Sequence, residues 1–83
     1  MSIFLARHID LTASYVAIGT DNVYAHITIS APTTNATVSY LEGDTGDDVE
    51  LYAGEWHVFN HVNLGDIKAK GTVGDILTVV GEN

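Results

Sequence analysis

Eighty-three residues leave room for one hydrophobic core and no second. Eleven carboxylates against Arg7, Lys68 and Lys70 give a formal charge of −8, which excludes the clustered cations that hold nucleic-acid phosphates or an anionic membrane. With no cysteine, disulfides, thiolate metal sites and a cysteine nucleophile are excluded too, and since so short a chain buries only about 60–65% of its unfolded surface, association with copies of itself becomes the favoured route to stability.

The first eleven residues, MSIFLARHIDL, place Arg7 and His8 after the apolar run, the wrong order for a secretory signal, so the expectation is a soluble product made in a cytoplasm. Ile3, Leu5, Ile9 and Leu11 alternate with Phe4, Ala6, His8 and Asp10, which predicts a strand whose apolar face Arg7 interrupts. Ser14 to Gly19 is a second short apolar run, and Gly19-Thr20-Asp21-Asn22 carries the residues of a tight hairpin turn. Val23, Ala25, Ile27 and Ile29 then point to a core from one face of a strand, leaving Tyr24, His26 and Thr28 on the other. Pro32 breaks the pattern, and 30–35 reads as a loop. Asn35-Ala36-Thr37 has the form of a glycosylation acceptor but is read as chance without a secretory signal. Ala36 to Leu41 resumes the strand pattern.

Glu42 to Asp48 is the most acidic segment, a solvated loop by this reading. Leu51 to Gly81 organises the rest, as three apolar runs of strand length separated by Gly-centred turns. Val49, Leu51 and Ala53 alternate with Glu50 and Tyr52 until Gly54. The next strand is expected to turn Trp56, Val58, Val62 and Leu64 to the core and His57, Phe59, His61 and Asn63 away from it. Ile67 and Ala69 alternate with Lys68 and Lys70, which share a polar face. Gly71 to Gly74 is a turn, and Asp75 to Val80, apolar on both faces, reads as a strand covered on both sides. With no helical periodicity, the expected fold is all-β, a small antiparallel β-sandwich or jelly-roll-like barrel of seven to eight short strands in a single domain, 1–83.

Chemistry is sparse. His57 and His61, four apart on a strand, stand about 13 Å apart, too far for one metal ion. The acidic loop 42–48 has carboxylates and Gly-permitted carbonyls for calcium but lacks the spacing of a dedicated site. No nucleophile elbow occurs, and so small a sandwich has little material to wall off a cleft. The expectation is a non-enzyme with no catalytic, metal or cofactor site. Tyr24, Tyr52, Phe59 and Trp56 are instead candidates for burial between subunits, because aromatics off the core face are enriched where chains meet.

The series Ala53-Gly54-Glu55, Val62-Asn63-Leu64, Ile67-Lys68-Ala69-Lys70-Gly71-Thr72 and Gly74-Asp75-Ile76-Leu77 resembles the C-terminal halves of short all-β virion proteins of tailed bacteriophages, capsid decoration (cement) proteins among them. It covers roughly the last thirty-five residues. The resemblance implies a small β-sandwich, commonly a homotrimer, that sits on the outer surface of a capsid and bridges subunits of the major capsid protein. The net charge argues against a nucleic-acid or membrane partner. On the footing of the resemblance Tyr24, His26, Tyr52, His57 and Phe59 are expected at subunit contacts, with Ser2 to Arg7, including Phe4 and Arg7, reaching a neighbour or the shell. Two alternatives stand beside it. A tail or fibre module binding host glycans needs Trp56 and Tyr52 exposed, and a small jelly-roll metal protein would use His26, His57 and His61.

Overall fold

A computed structural model describes residues 4–83. Eight strands follow in order: β1 (Phe4–Asp10), β2 (Val16–Ala17), β3 (Tyr24–Ser30), β4 (Ser39–Glu42), β5 (Val49–Leu51), β6 (Trp56–Asn63), β7 (Lys68–Lys70) and β8 (Ile76–Glu82), with a 3₁₀ turn, Leu64–Asp66, between β6 and β7. They form two four-stranded sheets, β1-β8-β3-β6 and β2-β7-β4-β5, antiparallel throughout. The expected all-β sandwich is the architecture found.

The core lies between the sheets. Leu5, Ala25, Ile27, Ile29, Leu77 and Val79 enter from the first, Leu41, Leu51 and Ala69 from the second, and Leu11, Ile18, Ala31 and Leu64 close the layer from the connections. In β3 the predicted alternation holds: Ala25, Ile27 and Ile29 are buried, while Tyr24 and His26 face solvent. β7 behaves alike, with Ala69 buried between Lys68 and Lys70.

Four expectations need correction. Gly19–Asn22 is not a hairpin, because β2 pairs with β7 in one sheet and β3 with β6 and β8 in the other. The turn is a crossover pressed onto the 3₁₀ turn: a Cβ on Gly19 would stand 2.7 Å from the Leu64 Cβ, and one on Gly65 2.6 Å from the Asp21 Cα. The Asn63 side chain ties the two, its Oδ1 accepting from the Asn22 and Gly65 amides and its Nδ2 donating to Asp21. The strand expected over 36–41 is confined to Ser39–Glu42, because the Ala36 and Thr37 amides donate to the buried Asp75 carboxylate rather than to a ladder.

The third correction concerns β6. Trp56 and Val58 are 62% and 59% exposed, and it is Phe59 that packs against the core, together with Val62. Ala25 pairs with Val62 and Ile27 with Phe59, so Asn60 and His61 stand together opposite His26. This bulge, with His61 at φ 51°, adds one residue and reverses which side chains face inward. Ahead of it the odd positions point in, after it the even ones. Fourth, β8 is covered on one face only: Leu77 and Val79 are buried, Ile76 and Thr78 half-buried, and Val80 exposed on the outer side.

Candidate functional site

The outer face of the first sheet is assembled by register. Ala6 lies opposite Val80, Val80 opposite Thr28 and Thr28 opposite Val58, giving one row across all four strands. A second row runs His8, Thr78, Ser30 and Trp56, with the Ser30 and Thr78 hydroxyls hydrogen-bonded to each other. A third joins Phe4, Glu82 and His26 to the bulge. The face therefore presents Phe4, Tyr24, Trp56, Val58 and Val80 to solvent, all large, apolar and exposed. Exposed apolar side chains are ordinary singly; on one sheet face they form a patch of the kind that marks an interaction surface.

At the upper edge of this face the His61 ring stacks on Tyr24 with centroids 5.3 Å apart and lies 5.9 Å from the His26 ring. The partnership of His26 with His61 was not legible in the sequence, because only the bulge brings them together. His57 is elsewhere, edge-on to Phe59 at 6.5 Å. The His57–His61 pair thus does not converge, and among the described residues no three His, Asp or Glu side chains gather as a metal site.

A second feature lies between the sheets beside β6. Phe59 and His57 from β6, Leu41 and Glu42 from β4, Val49 from β5, and Gly43 and Ile67 line an apolar hollow of about 310 Å³. It shares Gly43, Phe59 and Ile67 with an adjoining hollow of about 740 Å³ that reaches Asp44, Asp66 and Lys68. Together they form one open seam. Val49 shares the inner side of β5 with buried Leu51 yet is 53% exposed. The sandwich is unclosed here, and the rim is acidic through Glu42, Asp44 and Asp66.

The acidic loop is exposed over 43–48 and anchored at its end through Asp48. Asp48 accepts from the Tyr15 hydroxyl and pairs with Lys70 at 3.4 Å, and the Lys70 ammonium lies 4.7 Å from the Tyr15 ring centroid and 5.6 Å from that of Tyr40. Loss of water and the bond to Asp48 hold the Tyr15 phenol well above its ordinary range. The same bond, ahead of Lys70, holds the Asp48 carboxyl low.

Of the remaining candidates, Tyr52 is 54% exposed with its hydroxyl on Glu50, which raises its pKa, and its amide donates to Glu55. Arg7 is exposed on β1 opposite Val79 and has no ion pair among the described residues. Ser2, in the segment expected to reach a neighbour, lies outside the described residues. No helix among the described residues is long and apolar enough to cross a membrane. Comparison of the chain with protein-family models, with curated proteins and with solved structures finds no match.

Proposed function

We propose that this chain is a structural virion protein, a capsid decoration protein that associates with copies of itself, as a homotrimer, and binds the major capsid protein on the outer surface of the shell. The observation that carries the reading is the outer face of the first sheet, where Phe4, Trp56, Val58 and Val80 stand in water with nothing among the described residues laid over them. Large apolar side chains on regular strands, with no convergent set of acids, bases or nucleophiles among the described residues, suit a protein that works by fitting against others. The net charge of −8 suits a position away from a packaged genome. Many weak contacts repeated by symmetry strengthen a shell without any one strong bond.

Light scattering of the purified chain tests the first half: a trimer is expected, and a monomer at all concentrations overturns it. Cryo-electron microscopy of the parent particle tests the second. Density for the sandwich seated across capsid subunits is expected, and its absence from the head overturns the reading. Binding of host glycans is a second reading, favoured by the exposure of both Trp56 and Tyr52, the two rings it requires. Saturable binding on a glycan array that is lost in Trp56→Ala would establish it.

A further inference from the structure

We propose that copies of this chain join head to tail through their sheet edges, β1 of one copy adding as an antiparallel strand to β6 of the next, with the incoming Arg7 seated against the acidic seam. The inference rests on the self-association proposed above and names the surfaces that carry it.

The two edges are open. β1 is bonded only to β8 and β6 only to β3, so each leaves one row of backbone N–H and C=O groups without a strand partner among the described residues. They are seven and eight residues long, whereas the edges of the second sheet, β2 and β5, have two and three. Long apolar edges are templates for another strand, and short ones are not.

Direction fits as well. Four strands that alternate in direction leave the end strands running opposite ways, so a copy-to-copy junction between β6 and β1 is antiparallel like every other pairing in the sheet. With Ala6 opposite Val58, the incoming Phe4, Ala6 and His8 extend the outer apolar face beside Val58 and Trp56. Leu5 and Arg7 then fall on the inner side, beside Phe59 and His57. The bulge at Asn60–His61 ends the regular ladder where the incoming Phe4 arrives.

Charge selects the partner. Arg7 shares the inward-facing row of β1 with Leu5 and Ile9, and an inward charge on an edge strand normally turns other strands away. The β6 edge is the exception, because the seam beneath it carries Glu42, Asp44 and Asp66 against Lys68 alone. Lys70 is already engaged with Asp48. Pairing β1 with β1 would bring two Arg7 residues together, and β6 with β6 two acidic rims and two bulges, so head-to-tail addition is the one combination with opposite charges. A heterologous junction of this kind closes into a ring when its rotation allows.

The native chain has no cysteine, so introduced thiols report without background. Ala6→Cys and Val58→Cys both alter exposed outer-face positions, and directly opposed residues on paired strands lie within disulfide reach. Under mild oxidation the mixture of the two single variants is expected to give a covalent dimer that neither gives alone, and the double variant in one chain a closed covalent ring. Arg7→Glu is expected to weaken association about tenfold or more at low salt. If light scattering shows an oligomer but Ala6→Cys cross-links to itself, Val58→Cys cross-links to itself, or the mixture does not cross-link, the head-to-tail junction is overturned and the assembly reading stands. If the chain is a monomer, both fall. A mixed-pair dimer with weakened association in Arg7→Glu supports the junction.

Discussion

Asp75 is buried at the turn into β8, where it accepts from the Ala36 and Thr37 amides at 3.0 and 3.1 Å and from the Thr37 hydroxyl at 3.0 Å. Those backbone donors, the Ala36 amide first, hold its carboxyl below the ordinary Asp range. A depressed acid contributes stability that is complete above its unfolded value, near 3.9, and is lost as pH falls through its folded value. Asp75→Ala is expected to lower the melting temperature at neutral pH by several degrees, because two amides lose their acceptor. Asp75→Asn should lose less, and the gap between it and the native chain should narrow in urea titrations as pH drops below about 4. Tyr15 runs the other way: its raised phenol keeps the bond to Asp48 through the ordinary tyrosine range and loses it only as pH rises beyond that range. An ultraviolet titration should show a tyrosine that ionises last, later than Tyr52 whose bond to Glu50 also raises it, and this last step should disappear in Tyr15→Phe. A uniform transition in the native chain would contradict this assignment.

Among the elements, β8 holds the first sheet together, since it alone lies between β1 and β3. Gly81 sits within it, paired with Leu5 on one side and Ile27 on the other, and an added Cβ would meet the His26 carbonyl oxygen at 2.0 Å and the Ile27 Cα at 2.7 Å. Gly81→Ala should therefore cost about 1–3 kcal/mol through forced backbone movement, read as a lower urea midpoint. Leu77→Ala, two turns of the pleat away and fully buried, should cost about 2–5 kcal/mol through an unfilled cavity. Strands with strict alternation, β3 and β7, were readable from residues alone, because their period is uninterrupted. β6 was not. Nothing in Trp56 to Leu64 announces an extra residue, and a single insertion moves every apolar side chain ahead of it to the opposite face. For the same reason Trp56 and Val58, read as core, became the centre of the exposed patch, and Phe59 and His57 came to line the seam.

For the whole molecule, the sandwich is sealed along most of its length and open along β6, while among the described residues nothing covers the outer face of its first sheet. The seam is lined by Phe59, Val62 and Ile67, which pack against the core, whereas Trp56 and Val58 on the outer face are exposed and lie outside it, so substitutions on that face should separate folding from assembly. The double variant Trp56→Ser, Val58→Thr is expected to keep its unfolding free energy, from urea titration, within about 0.5 kcal/mol of the native chain and to lose self-association by light scattering. A parallel loss of stability would mean that these residues belong to the fold. The class of fold was legible in composition, Gly-centred turns and alternation. The pairing of strands was not, because β2 and β3 are adjacent in the chain and lie in different sheets, joined by a crossover that packs Gly19 on Leu64 and Asp21 on Gly65 of the 3₁₀ turn. The sites followed the same division: Tyr24, His26 and Phe4 stand on the exposed face as their strand parity requires, whereas the neighbourhood of His61 depended on the bulge.

Asn35 bonds its side-chain amide to the main chain of Ile76 in both directions, Nδ2 to the carbonyl at 2.6 Å and Oδ1 from the amide at 3.0 Å, as a neighbouring strand would. A sugar transferred to that nitrogen before folding would stand where β8 must begin. Production through a eukaryotic secretory route should thus yield either unmodified material or aggregates, and a bacterial cytoplasm is the sounder source of native protein.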